Sequence, residues 1–293
     1  EPLFRVEERP VPASTVPGET ISPTQPFPAL PRPVHPPTLT EDNIWGIYPG
    51  DRQACLAQFR GLHYEGMFTP PAVDRPTLLW PGLGGGINWG SVSVNPLTNT
   101  MVVNAMRVPY TVQLLPRDRV ATTDSADLVG AAPQEGTPWV AVRAAFLSPN
   151  NIPCTAPPWG TLTGIDLDTG ETLWDVPLGN LAGLAPLGIG GWLNWGTPNT
   201  GGSLQTASGL VFIAATLDSR FRAFDAATGK TLWTDTLPAP AQATPMSYRL
   251  SSTGKQYIAI AAGGHGPLAY SAKGPDKLHE LLGDTLVVYS LKD

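Results

Sequence analysis

Charge is scarce in this chain: only 14% of its 293 residues are Asp, Glu, Lys or Arg, and the net charge is -6 with no run of Lys or Arg. Nucleic acid needs a cationic surface that displaces counterions, so it is excluded as a partner. No apolar run is long enough to cross a bilayer as a helix. Cysteine is nearly absent. Cys55 and Cys154 stand far apart, which leaves two readings open, a pair of buried thiols or one long-range disulfide. Histidines are few, and His35, His63 and His279 show no metal-ligand spacing. The glycine run Gly84-Gly85-Gly86 is not followed by Lys-Ser/Thr, so it is not a phosphate loop.

Turn formers and aromatic residues are abundant instead: 33 prolines, 31 glycines and nine tryptophans within a 42% hydrophobic chain. That composition favours a packed core, many turns and few long helices. Ten prolines fall between residues 10 and 37, where missing N–H groups and fixed φ angles forbid a helix or a central strand. The segment reads as an extended stretch lying on a larger surface, or as a disordered linker. Asp51 to His63 fits one short helix with Asp51 as its cap. From residue 77 the pattern changes to short apolar or alternating runs bounded by Gly, Pro, Asn or Asp. They are Thr77–Trp80, Gly90–Val94, Met101–Asn104, Gly160–Asp166, Gly209–Ala215, Phe221–Asp225, Gln256–Ala261 and Thr285–Ser290, and each predicts a strand. The expected organisation is therefore residues 1–76 as a proline-rich segment with a short helix, and 77–293 as an all-β body.

An internal repeat narrows the fold. Gly164-Ile165-Asp166-Leu167-Asp168-Thr169-Gly170-Glu171-Thr172-Leu173-Trp174 recurs as Ala223-Phe224-Asp225-Ala226-Ala227-Thr228-Gly229-Lys230-Thr231-Leu232-Trp233. The period is 59 residues (233 minus 174), enough for several short strands, which predicts a β-propeller blade. In each copy the Asp carboxylate can accept N–H groups of the following turn, and Thr-Gly supplies the left-handed position. The Trp buries a large ring and donates its indole N–H to a backbone carbonyl, stapling one blade to the next. The Asp–Thr pairs 166/169 and 225/228 thereby belong to turns and are not acid/base pairs.

The repeat resembles the tryptophan-docking motif of PQQ-dependent dehydrogenases, eight-bladed propellers, a motif shared with envelope scaffolds built from PQQ-like repeats. Further segments resemble the membrane-bound glucose/quinate/shikimate branch. They include Tyr64-Glu65-Gly66-Met67-Phe68-Thr69-Pro70-Pro71, Asn88-Trp89-Gly90-Ser91-Val92-Ser93-Val94-Asn95-Pro96, Gln242-Ala243-Thr244-Pro245-Met246-Ser247-Tyr248 and Ala262-Gly263-Gly264-His265-Gly266. The resemblance implies the C-terminal part of a quinoprotein at the periplasmic face of the inner membrane. Such an enzyme oxidises a sugar or cyclic polyol and passes electrons to ubiquinone. It also implies that Cys55 and Cys154 are an oxidised pair or spatial neighbours.

The resemblance assigns PQQ as cofactor, with a divalent ion, Ca or Mg, near its reactive carbonyl. Asn88 and Trp89 become cofactor-binding candidates. Asn88 can equally serve its own glycine-rich turn, and Trp89 can equally fill the inner rim. Thr200 stands where soluble relatives place a stacking aromatic, and Trp195 is a possible substitute. His265, in a glycine-flanked loop, is the substrate-binding candidate, or bonds within its loop. The family's catalytic Asp, its cationic PQQ ligand and its metal ligands match nothing here and are expected upstream, with the earlier blades and the membrane anchor. The missing N-terminal half of the propeller is thus an expected partner, and the isolated chain is expected to be inactive. A non-catalytic envelope scaffold is the rival reading.

Overall fold

A computed structural model describes residues 1–120, 130–180, 193–264 and 282–291. Among the described residues, seventeen strands and two short α-helices form two compact units, residues 1–84 with 107–156, and residues 85–106 with 157–293.

In the first unit, β1 (Val6–Pro10) and β2 (Thr24–Pro28) form an antiparallel ribbon. The proline-rich stretch is therefore extended, as its composition requires, and part of it is a true strand. Pro26 and Pro28 alternate along β2, opposite Glu8 and Val6, and a two-stranded ribbon consists only of edges, where proline is tolerated. Helix α1 (Asp51–Gly61) follows. Its cap is Gly50 in the left-handed conformation, not Asp51. The Asp51 carboxylate is buried and already engaged, accepting the Tyr48 N–H at 3.2 Å and the Asn150 amide at 2.8 Å. A disulfide joins Cys55 on α1 to Cys154 inside a core of Leu39, Ile44, Leu78 and Phe146. The unit's sheet runs in the order β3 (Thr77–Leu79), β6 (Tyr110–Pro116), β8 (Trp139–Ala145), β7 (Ala131–Pro133). Helix α2 (Arg117–Val120) follows β6.

The second unit holds three antiparallel sheets. The first has the order β4 (Val92–Asn95), β5 (Thr100–Met106), β9 (Gly160–Asp166), β10 (Thr172–Pro177). Next comes a simple meander, β11 (Ser203–Gln205), β12 (Leu210–Ile213), β13 (Arg220–Asp225), β14 (Thr231–Thr236). The third has, among the described residues, the strands β15 (Met246–Arg249), β16 (Gln256–Gly264) and β17 (Leu282–Ser290). Four-stranded meanders of this kind are the blades of a propeller. Val102, Leu162, Val211 and Ile213 fill the seam between the first two sheets, and Phe221, Leu237, Ile258 and Ile260 that between the second and third.

The repeated motif folds as its residues dictate. Asp166 Oδ1 accepts the N–H groups of Asp168 (2.8 Å) and Thr169 (3.3 Å), and Asp225 Oδ1 those of Ala227 (3.0 Å) and Thr228 (2.9 Å). Gly170 and Gly229 take φ of 73° and 69°. Trp174 donates its indole N–H to the Ala226 carbonyl at 2.9 Å, docking on the next blade. Trp233 departs from expectation: its indole has no such carbonyl among the described residues, and the side chain stays 39% exposed against 8% for Trp174.

Candidate cofactor-facing site

The site forms where the loop entering β4 meets the segment entering β11. Asn88 sits in a tight turn: its Oδ1 accepts the Trp89 N–H (2.7 Å) and its carbonyl the Ser91 N–H (3.0 Å). This turn use is the alternative that the sequence left open for Asn88. Ser91 takes a left-handed φ of 58°, so the chain reverses within three residues. Trp89 is thrown outward, 61% exposed, with an aromatic face available.

Glycines set the closeness of the two segments. The Gly90 N–H donates to the Thr200 carbonyl at 3.2 Å. A Cβ on Gly90 would lie 2.3 Å from the carbonyl carbon and oxygen of Gly201, and one on Gly202 2.4 Å from the Gly90 oxygen. Only backbone fits there. Deeper in the sheets, Ser93 and Ser203 share a hydroxyl hydrogen bond of 2.6 Å, and the Gln205 amide donates to the carbonyls of Ser93 (2.7 Å) and Thr100 (3.1 Å).

Two residues that the sequence reading missed hold the junction from below. The Asn104 amide donates to Asn199 Oδ1 at 2.6 Å and to the Gly201 carbonyl at 2.8 Å. The Asn199 amide donates to the carbonyls of Ala105 and Thr197, both at 3.1 Å. Both side chains are buried. The available signal was a lone Asn in the otherwise apolar run Met101-Val102-Val103-Asn104-Ala105-Met106, a polar group that burial makes costly unless it is bonded.

The Thr200 hydroxyl and Asn104 Oδ1 are buried without a hydrogen-bond partner among the described residues. Native structures leave few such atoms, and each calls for an explanation. An exposed aromatic ring and an unpartnered hydroxyl on two segments in backbone contact suit the face and polar rim of a planar, oxygen-rich ring such as PQQ. The named residues offer no cation for its carboxylates, so they fit one wall of a site rather than a whole one. Among the described residues no group of three His, Cys, Asp or Glu side chains could hold a metal. The donor set does not fit a divalent ion.

Asn88, Trp89 and Thr200 are thus brought together. Trp195 stacks edge-on against Trp159, centroids 5.8 Å apart, which is a packing role. His265 lies outside the described residues. Elsewhere in this unit Asp218 and Arg222 form a buried ion pair, with Asp218 also accepting the Asn180 N–H (2.9 Å) and the Thr216 hydroxyl (2.6 Å). Burial alone would raise the Asp218 pKa, but the Arg222 guanidinium and these hydrogen bonds outweigh it and hold the carboxyl below its usual range.

Residues 1–258 match the PQQ family model described as "Glucose/ethanol/alcohol dehydrogenase, beta-propeller domain". The chain is 38% identical to the quinate/shikimate dehydrogenase (quinone) of Acinetobacter baylyi, over 100% of its own length and 36% of that protein. It is likewise 38% identical to quinoprotein glucose dehydrogenase A of Acinetobacter calcoaceticus, over 100% of its own length and 36% of that protein. Among solved structures, the quinohemoprotein alcohol dehydrogenase of Comamonas testosteroni superposes with a TM-score of 0.50 at 25% identity, covering 74% of this chain and 28% of that one. The chain therefore spans about a third of the length of the curated relatives it matches.

Proposed function

Because the chain belongs to the β-propeller family of PQQ-dependent glucose/ethanol/alcohol dehydrogenases, we propose that it is one section of a quinoprotein that oxidises a sugar or cyclic polyol and delivers the electrons to ubiquinone. The observation that carries this reading is the Gly90–Thr200 junction, a backbone contact that brings together the segment of the exposed Trp89 and that of the buried, unpartnered Thr200 hydroxyl. PQQ, when bound, supplies the two-electron acceptor for alcohol oxidation. Trp89 would offer its ring face to the cofactor and exclude water from it. The Thr200 hydroxyl would donate a hydrogen bond to the cofactor, and the Asn88 turn, through its bond to the Trp89 N–H, would fix how Trp89 is presented. Asn104 and Asn199 keep the Thr200 backbone from moving away. His265 would stand at the substrate opening. The catalytic base, the cationic carboxylate partners and the ligands of a Ca or Mg ion would come from the rest of the longer protein, whose catalytic domain faces the periplasm. The isolated chain would then be inert.

The longer protein, purified with and without PQQ, tests this by dye reduction with quinate, shikimate, glucose and glycerol. PQQ-dependent reduction with at least one of them is expected. The Thr200→Val variant should bind PQQ about tenfold more weakly in a fluorescence titration, as the loss of one hydrogen bond of about 1.4 kcal/mol implies. No PQQ-dependent turnover with any substrate would sink the enzyme reading and leave the envelope scaffold in its place.

A further inference from the structure

The segments entering β4, β11 and β15 meet at two glycines. A Cβ on Gly202 would run into both the Gly90 oxygen, at 2.4 Å, and Thr244 Oγ1, at 2.5 Å. One on Gly201 would lie 2.6 Å from the Gln242 carbonyl oxygen. The third sheet therefore reaches the junction at which the Trp89 and Thr200 segments touch, and it does so with a hydroxyl.

That hydroxyl is held in a fixed place. The Ala215 N–H donates to the Ala241 carbonyl at 2.7 Å, which ties the segment to the second sheet. The Gly264 N–H donates to the Pro240 carbonyl at 2.8 Å, and Ala241 pairs with Gly264 in a parallel bridge, which ties it to β16. Pro245 is buried, and a proline disfavours helical backbone at the residue before it. Thr244 is also branched at Cβ, so its χ1 is restricted. On this rigid support the Thr244 side chain is exposed, and its hydroxyl has no hydrogen-bond partner among the described residues. Valine would pack on Gly202 as well as threonine does, so packing leaves the hydroxyl unexplained. Thr200 offers a buried hydroxyl and Thr244 an exposed one. A bound cofactor can stay against the buried group, whereas a substrate that enters and leaves at each turnover needs a group reachable from solvent.

We propose that Thr244 is a substrate-binding residue, whose hydroxyl bonds a non-reacting hydroxyl of the sugar or cyclic polyol. The proposal rests on the reading of the chain as a section of a quinoprotein dehydrogenase. A threonine hydroxyl donates and accepts at once, as each hydroxyl of a polyol does, so the pair can form in either sense. Because Thr244 is open to water, the bond replaces one to solvent, and its loss is worth about tenfold in affinity rather than the far larger penalty of a sealed polar pocket.

Two variants of the longer protein, loaded with PQQ, test this. Thr244→Val keeps the branched shape and removes the hydroxyl, and Thr244→Ser keeps the hydroxyl and removes the methyl group. Glucose, quinate, shikimate and glycerol are the probes, with binding read by saturation-transfer NMR and turnover by dye reduction. For a substrate that is turned over, T244V should raise Kd and KM about tenfold while kcat and PQQ affinity stay at the wild-type values. T244S should bind it as the wild type does. Unchanged binding in T244V would overturn the proposal. So would equal weakening in both variants, which marks a packing role, or a loss confined to the PQQ titration, which marks a cofactor contact. Absence of turnover with every probe removes the dehydrogenase reading. A binding loss in T244V alone would then still uphold the Thr244 contact, and equal binding by all three proteins would overturn it too.

Discussion

At Gly90 a hydrogen atom is the largest substituent the structure accepts, because the Gly201 backbone occupies the place of a Cβ at 2.3 Å. In the Gly90→Ala variant the two segments must separate, breaking the 3.2 Å bond to Thr200 and moving Trp89 away from the Thr200 segment. PQQ affinity of the longer protein should fall at least about tenfold, the effect of one lost hydrogen bond, and a titration of cofactor fluorescence checks it. Asp218 is sensitive for the opposite reason, since a charge is buried there. Asp218→Asn leaves the Arg222 guanidinium, 9% exposed, without its counter-ion. Breaking such a pair costs about 3–5 kcal/mol, readable as a shift in the urea midpoint at pH 7. The sign with pH follows from the lowered pKa: the stabilisation is fully present above the ordinary carboxylate value of about 4 and is lost as pH falls through the lowered folded-state value. The gap between wild type and variant should therefore be constant near neutrality and close in acid.

The blade turn is the element in which sequence and structure agree most fully, because its instructions are local. Asp accepts two N–H groups, Gly takes the positive φ and Trp returns to the sheet, all within eleven residues. Eight apolar or alternating runs between turn formers were legible as strands, and all eight became strands. β10 and β14 were not, since their pattern Thr-Leu-Trp followed by polar residues lacks alternation, and partner strands make them strands. β6 and β8, which belong to a segment inserted between two strands of one blade, were not read either. The Asn104–Asn199 pair could not be read, as its partners lie more than ninety residues apart. Removing a docking residue should show what these elements contribute. Trp174→Ala takes out a ring packed on Gly164 and Gly229 together with its bond to Ala226, at a cost of about 3–5 kcal/mol by thermal unfolding. The same change at the half-exposed Trp233 should cost clearly less in this chain. At α1, replacing both Cys55 and Cys154 by Ala releases a loop of 99 residues, which the chain-entropy account values at about 4–5 kcal/mol.

Chain path decides what can fold separately. The polypeptide enters the second unit at residue 85, leaves it after Met106, and returns at Pro157, so neither unit is a continuous stretch. The first blade shows the consequence: β4 and β5 come from the early visit and β9 and β10 from the late one, with β5 hydrogen-bonded to β9 from Thr100–Asp166 to Met106–Gly160. The candidate site is divided in the same way, with Asn88 and Trp89 arriving with β4 and Thr200 with β11. A fragment of residues 157–293 would keep both docking tryptophans yet lack β4, β5 and the Asn104 amide that holds Asn199 and Gly201. Its β9 would be bare on the side where β5 pairs, and Val102 would be gone from the seam with the second blade. That fragment should unfold in urea without a cooperative transition, while the complete chain shows one under the same conditions. A cooperative transition from the fragment would mean that the two later blades suffice for a core, and that the early strands serve only to deliver Trp89 to Thr200.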